Sequence, residues 1–269
     1  MSDPLVVARL RAAGCVWAED EAAALDEAAE TPVELEALVA RRVAGEPLET
    51  VVGWVEFLGR RLVVATGVFV PRRRTELLAR LALAQVVGRR SADEEPPVVV
   101  EMCCGVAPVA AVLDERGAQV HAADVSTAAL ACARANAQGA DLHLGDLYDA
   151  LPHRLLGHVD VIAANAPYVP SGRIATMPPE ARDHEPVVAL DGGPDGADLH
   201  RRLAAGAADW LAPGGVLLVE TSAAQSDLTI AAMAGSGLAT HVVTDDEVGG
   251  CVVLGERPLS GSPPAGAPG

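Results

Sequence analysis

Apolar positions recur at helical spacing over the first fifty residues, alternate over the next twenty or so, and then fall into short runs separated by further helical stretches. "LVVARLRAAG" predicts a first helix that stops at Gly14. "AEDEAAALDEAAE" predicts a second, with an acidic outer face read as solvated surface. "TPVELEALVARRVAGEPL" predicts a third: Thr31 is the cap, Pro32 the first helical residue, Glu34 closes a capping box, and Gly45 ends the helix. From residue 50 the period drops to two. "VVGWVEFLGRRLVVATGVFVP", punctuated by Gly53, Gly59 and Gly67, predicts a hairpin with Trp54, Phe57 and Phe69 in its core. "RRRTELLARLALAQVVG" then returns to helix.

The remainder alternates strand and helix. "PVVVEM", "AQVHAAD", "DLHLGD", "VDVIAAN", "GVLLVE", "ATHVV" and "GCVVLG" read as strands, with "STAALACARANAQ" and "ADLHRRLAAGAADWL" among the helices between them. Short apolar strands joined by helices imply an α/β fold around a mostly parallel, doubly wound sheet. The last two strands lie too close for a long crossover and should form an antiparallel edge. The expected division is a helical module over 1–50, a β-hairpin linker over 51–73, an α/β domain over 74–257 and a disordered Pro/Gly/Ser-rich tail over 258–269.

Composition narrows the chemistry. Half of the 269 residues are apolar and the formal net charge is −17, which disfavours a protein held by nucleic acid phosphates or an anionic membrane. All 20 basic residues are arginine, so Schiff-base, P-loop and kinase lysines are excluded. The 5 cysteines form no C-x-x-C pair and an odd count suits a reducing compartment; neither Cys nor His shows a zinc spacing, so no metal site is expected. With neither an apolar leader nor a long uncharged run, the reading is a soluble, cytoplasmic, monomeric protein without a membrane span.

In such a sheet, ligands bind beyond the carboxyl ends of the strands. Acidic or glycine positions stand at those ends in "EMCCG" (Glu101 to Gly105), "HAAD" (Asp124) and "LGD" (Asp146). Asp124 follows the first strand by roughly twenty residues, the spacing at which a carboxylate reaches ribose hydroxyls. Three strand-end acids suit a positively charged nucleoside such as S-adenosylmethionine better than a pyrophosphate, for which "CCGVAPVA" lacks the glycines. Cys103 and Cys104 read as packing residues under this loop.

The residues also carry a resemblance. "RRVAGEPLETVVGWVEFLG", "VFVPRRRTE", "DVSTAALACARANA", "GDLYDALP", "NAPYVP", "RDHEPVVALDGGPDGADLHRRL" and "LAPGGVLLVE", spread over nearly the whole chain, resemble the HemK/PrmC family of protein-(glutamine-N5) methyltransferases. They are closest to a bacterial branch with NAPY in place of NPPY. The resemblance implies a class I (Rossmann-like) methyltransferase domain using S-adenosyl-L-methionine, with a glutamine amide of a peptide-release factor as acceptor. It implies catalytic roles for Asn165, Ala166, Pro167 and Tyr168. Cofactor binding falls to Glu101, Cys103, Gly105, Asp124, Val125, Asp146, Leu147 and Asn165, with Glu76 touching the same side of the cleft. His184 and Glu185 are expected to brace the loop that contains them.

An amide nitrogen carries two N–H donors and a delocalised lone pair. The Asn165 side-chain oxygen and the Ala166 carbonyl can accept both hydrogens, oppose the charge that develops on nitrogen, and leave Tyr168 to face the planar group. Two departures from the family pattern stand out. Val106-Ala107-Pro108 replaces a glycine motif; Ala107, before a proline, is expected to be extended, with its methyl crowding the cofactor, while Pro108 opens the next helix. Ala166 replaces a proline and loosens the turn. These leave open an S-adenosylmethionine-using enzyme acting on a small amide-bearing metabolite, or a binding module without turnover. An adenine methyltransferase shares the Asn-x-Pro-Tyr logic, but the net charge opposes the basic groove it needs.

Overall fold

The structure, a computed structural model, describes residues 3–89, 95–114 and 116–259; the tail expected to be disordered lies outside the described residues from 260 onward. Four helices open the chain: α1 (Pro4–Ala12), α2 (Ala18–Ala28), α3 (Pro32–Val43) and α4 (Leu48–Val52). Leu10, Leu25, Val39 and Val51 meet in a core of their own. Thr31 Oγ1 accepts the Glu34 N–H at 3.2 Å as expected of a cap. The Glu34 carboxylate takes the N–H of Glu30 at 2.9 Å, one residue before the one a strict capping box would use. Helix α4 was not foreseen, because five residues are too few for a period to show.

The hairpin pairs β1 (Trp54–Phe57) with β2 (Arg60–Val63) through a turn at Leu58 and Gly59, both with positive φ. Phe57 is buried as expected. Trp54 is not core: it is half-buried beneath the Arg61 guanidinium, 3.9 Å from the ring centre.

After α5 (Thr75–Arg89) come β3 (Val98–Met102), α6 (Pro108–Leu113), β4 (Gln119–Asp124), α7 (Thr127–Asn136) and β5 (Asp141–Leu144). Then follow β6 (Val159–Ala164), α8 (Pro179–His184), α9 (Asp198–Trp210), β7 (Leu211–Glu220), α10 (Ser226–Gly235), β8 (Ala239–Asp245) and β9 (Gly250–Glu256). The sheet order is β5-β4-β3-β6-β7-β9-β8. Strands β3 to β7 are parallel, and β9 runs antiparallel to both neighbours, so the edge strand β8 again points with the main group. Strand β3 starts the sheet, β4 and β5 extend it one way, and β6 crosses to its other side. The crevice between the ends of β3 and β6 is the topological switch point. Both strands are buried on both faces (Val99, Val100, Val161 and Ile162 are 0% exposed), which is why residues 98–100 and 161–164 read as apolar runs.

The helical module is tied to the rest by buried Arg42, which bonds Glu21 at 2.6 Å within the module and Glu180 of α8 at 2.6 Å beyond it. Among the described residues, no helix is long and apolar enough to cross a membrane.

Candidate functional site

Two adjoining cavities occupy the switch point. The first, about 320 Å³, lies under the loops that follow β3, β4, β5 and β6. Glu101, Cys103 and Gly105 wall it on the β3 side, Asp124 and Val125 after β4, Asp146 and Leu147 after β5, and Asn165 after β6. Asp124 Oδ2 accepts the N–H of Gly105 and Oδ1 that of Ser126, each at 2.8 Å. Each oxygen keeps a second lone pair, so the carboxylate is fixed in place and still able to take hydroxyl donors. Val125 offers a half-exposed apolar face beside it. Asp146 is less free than the sequence suggested: Arg202, on the same wall, holds its Oδ2 at 2.7 Å. Burial pushes the Cys103 thiol up to about 12 and raises the Cys104 thiol well above its ordinary range, so neither is a nucleophile.

Backbone strain gathers around this cavity. Among the described residues four non-glycines have positive φ, and three of them, Cys103, Ala107 and Leu147, sit in its loops. Ala107 is therefore not extended: φ is 60° and ψ 53°, left-handed despite the proline that follows. The Ala107 N–H closes a tight turn on the Cys104 carbonyl at 2.7 Å, and the methyl is buried in the core, away from the cavity. That methyl is expected from the sequence to crowd the cofactor; Ala107 packs in the core cluster and does not line the cavity. Pro108 does open α6.

Glu101 is buried, its two oxygens accepting the N–H groups of Val109 (3.2 Å) and Ala110 (2.7 Å) at the start of α6. Desolvation pushes its pKa up to about 8, opposed by those two hydrogen bonds and helped by the Asp124 charge. The folded chain thus keeps a proton that an unfolded glutamate loses near pH 4.3, about the model-peptide value. The stability this contributes is complete below the unfolded value and is lost as pH rises through about 8. In urea unfolding of the ligand-free protein, the stability of wild type relative to Glu101→Gln should fall between roughly pH 5 and pH 9. A constant difference over that range would exclude the proton uptake.

The second cavity, about 290 Å³, shares Phe69, Asn165, Pro167 and Ala189 with the first and adds Ala166, Tyr168, Arg72 and Arg74. Asn165 Nδ2 donates to Thr75 Oγ1 at 3.2 Å, which leaves Oδ1 for the cleft. Among the described hydrogen bonds, none reaches the Ala166 carbonyl. Gln225 Nε2 holds the Tyr168 carbonyl at 2.8 Å, and burial raises the Tyr168 hydroxyl above its ordinary pKa. The "LDGGPDG" segment clasps the same turn: Val169 N–H bonds Leu190 O, and Gly192 N–H bonds Val169 O, each at 2.9 Å.

Two further expectations change. Glu76 faces Arg80 of its own helix at 2.8 Å and is not in either wall; its neighbour Thr75 is. Phe69 lines both cavities and is not hairpin core. Glu185 does brace its loop, binding Arg72 at 2.6 Å and the Val70 N–H at 3.2 Å. Arg74 and the buried Glu220 that holds it were missed, since nothing local in "PRRRTE" or "LLVETS" marks them as partners.

No family model matches the chain. A 4-amino-L-phenylalanine/4-methylamino-L-phenylalanine methyltransferase of Streptomyces pristinaespiralis is 40% identical over 186 residues, 68% of this chain and 63% of that protein. The chain therefore spans less than two thirds of that relative. A release factor glutamine methyltransferase of Mycolicibacterium smegmatis is 38% identical over 221 residues, 80% of this chain and 75% of that protein. Among solved structures, a methyltransferase from Pyrococcus furiosus aligns with a TM-score of 0.55 over 82% of this chain and 98% of that one; at 15% identity this speaks to fold alone.

Proposed function

The chain belongs to the family of release factor glutamine methyltransferases, and from that premise we propose that it methylates the side-chain amide nitrogen of a glutamine in a protein such as a peptide-release factor. S-adenosyl-L-methionine occupies the first cavity and the acceptor the second. The observation that carries this reading is Asn165, which stands in the wall between them with its amide oriented by Thr75. When bound, S-adenosylmethionine supplies a methyl on a cationic sulfur, which leaves with the bonding pair as the methyl passes to nitrogen.

The chain's residues position and stabilise. Of the residues lining the first cavity, Asp124 would take the ribose hydroxyls, and Val125, Leu147 and Asp146 would hold the base. Asn165 Oδ1 and the Ala166 carbonyl accept the two N–H groups of the acceptor and oppose the positive charge that grows on nitrogen. Tyr168 walls the acceptor's planar group. The nitrogen needs no strong base before attack, because its proton becomes acidic once the methyl has arrived and leaves to solvent. The helical module docks the substrate protein, and Arg42 joins that module to Glu180 on the acceptor cavity's wall. The enzyme acts as a cytoplasmic monomer without direct contact to nucleic acid.

Calorimetry with S-adenosylmethionine and S-adenosylhomocysteine, followed by methyl transfer to Gly-Gly-Gln peptides, tests the reading. Asp124→Ala should weaken cofactor binding by about tenfold or more, the loss expected when hydrogen bonds to a charged group are removed. Unchanged affinity would remove the ribose assignment. A second reading, methylation of the amine of a small amino acid, is favoured by the Arg74 guanidinium in the acceptor cavity and by the reaction named for the Streptomyces pristinaespiralis relative. Methyl transfer to 4-aminophenylalanine and not to the peptides would select it.

A further inference from the structure

We propose that Arg74 sets acceptor specificity by binding a carboxylate on the molecule whose nitrogen is methylated. This rests on the reading of the second cavity as the acceptor's place. Arg74 lines that cavity, and its Nε donates to Glu220 Oε1 at 3.0 Å. The Tyr168 hydroxyl also bonds to the guanidinium, and the Arg74 side chain is still partly exposed to the cavity. Glu220 is wholly buried at the end of β7, so it grips the guanidinium from the sheet side. Tyr168 flanks it, with the ring centre 5.8 Å from the guanidinium carbon. An ion pair built in this way presents its cationic end to the cavity.

The neighbouring charges are differently placed. Arg72 turns Nη2 onto both oxygens of Glu185 at 2.6 Å, and that pair is closed. Glu180, the acid on the cavity wall, is held by Arg42 at 2.6 Å. No wall carboxylate is left to compete with an incoming anion. A guanidinium carries five N–H groups, so those that Glu220 and Tyr168 leave over can donate to a planar carboxylate. A polyphosphate or nucleic acid backbone would need more positive charge than this wall holds. Because Thr75, the next residue, orients Asn165, the carboxylate lies close to the nitrogen that reacts. It belongs either to a free amino acid acceptor or to an acidic side chain beside the target glutamine of a peptide.

Binding to the full-length protein loaded with S-adenosylhomocysteine, measured by calorimetry, tests this with matched pairs. N-acetylglutamine is compared with its amide, and 4-aminophenylalanine with 4-aminophenethylamine; both pairs probe a free amino acid. Glutamine pentapeptides with Glu or Gln beside the target probe the peptide source. In at least one pair the carboxylate member should bind about 10- to 100-fold more tightly, the range for a hydrogen bond to a charged group. Arg74→Gln should erase that preference and leave the uncharged member and S-adenosylhomocysteine unaffected; Arg74→Lys should keep only part of it. Should Arg74→Gln fail to fold around an unpaired Glu220, the double variant Arg74→Gln, Glu220→Gln carries the same test. A carboxylate preference that survives these changes, or is absent in every pair, overturns the proposal. If the preference depends on Arg74 but no acceptor is methylated, Arg74 stands as a carboxylate anchor and the methyltransferase reading falls.

Discussion

Asn165→Ala slows methyl transfer by about a hundredfold, on the order of 3 kcal/mol, and leaves cofactor affinity nearly untouched. The size follows from when the interaction matters. The carboxamide oxygen meets a neutral N–H before reaction and a cationic one as the carbon arrives, so its strength grows toward the transition state. The scaffold that holds it is already in place, since Thr75 Oγ1 takes Nδ2 at 3.2 Å and fixes which end of the amide faces the cleft. Asn165→Asp should also be slow: it loses the Nδ2 donor to Thr75 and places a second negative group near Glu220. Tyr168→Phe should be mild because the ring is kept, and Tyr168→Ala severe. Single-turnover rates at saturating cofactor and acceptor separate these outcomes from binding losses. Normal turnover by Asn165→Ala would reduce "NAPYVP" to a turn.

The strands and the acids at their ends were legible for one reason. Strands β3 and β6 are buried on both faces, so Val98 to Val100 and Val161 to Ala164 read as apolar runs. A polar group marks where the runs stop: Glu101 in β3, Asp124 in β4 and Asn165 after β6. The acceptor side was less legible because its wall is assembled from distant segments. Thr75 and Asn165 are 90 residues apart, and Arg74 and Glu220 are 146 apart. No local period reports such pairings. Ala107 misled for a different reason: the rule that a residue before proline is extended is a local preference. Here the bond to the Cys104 carbonyl and the buried methyl together outweigh a left-handed penalty of roughly 1–2 kcal/mol.

The same long-range logic makes Gly192 a sensitive position outside the reacting groups. A Cβ there would stand 2.6 Å from the Gly196 carbonyl oxygen, 2.7 Å from that of Pro167 and 2.7 Å from Tyr168 Cα. All three are backbone atoms, two of them in the turn that carries the acceptor-binding residues, so no side chain can swing away to make room. The turn is also bonded to this segment, through Val169 and Gly192, and must move with it. Overpacking of this kind costs about 1–3 kcal/mol of stability. The effect on rate should be larger, since a shift of about 1 Å at a reacting centre can cost on the order of a hundredfold. Gly192→Ala is therefore expected to fold with a lowered unfolding temperature, bind S-adenosylhomocysteine within a few-fold of normal, and turn over as poorly as Asn165→Ala. Gly193→Ala is the contrast: its Cβ meets the movable Asp198 carboxylate, and its φ of +88° makes any side chain strained, so stability should drop with much less effect on rate. A Gly192→Ala protein with an undiminished single-turnover rate would show that the "LDGGPDG" segment does not set the position of Pro167 and Tyr168.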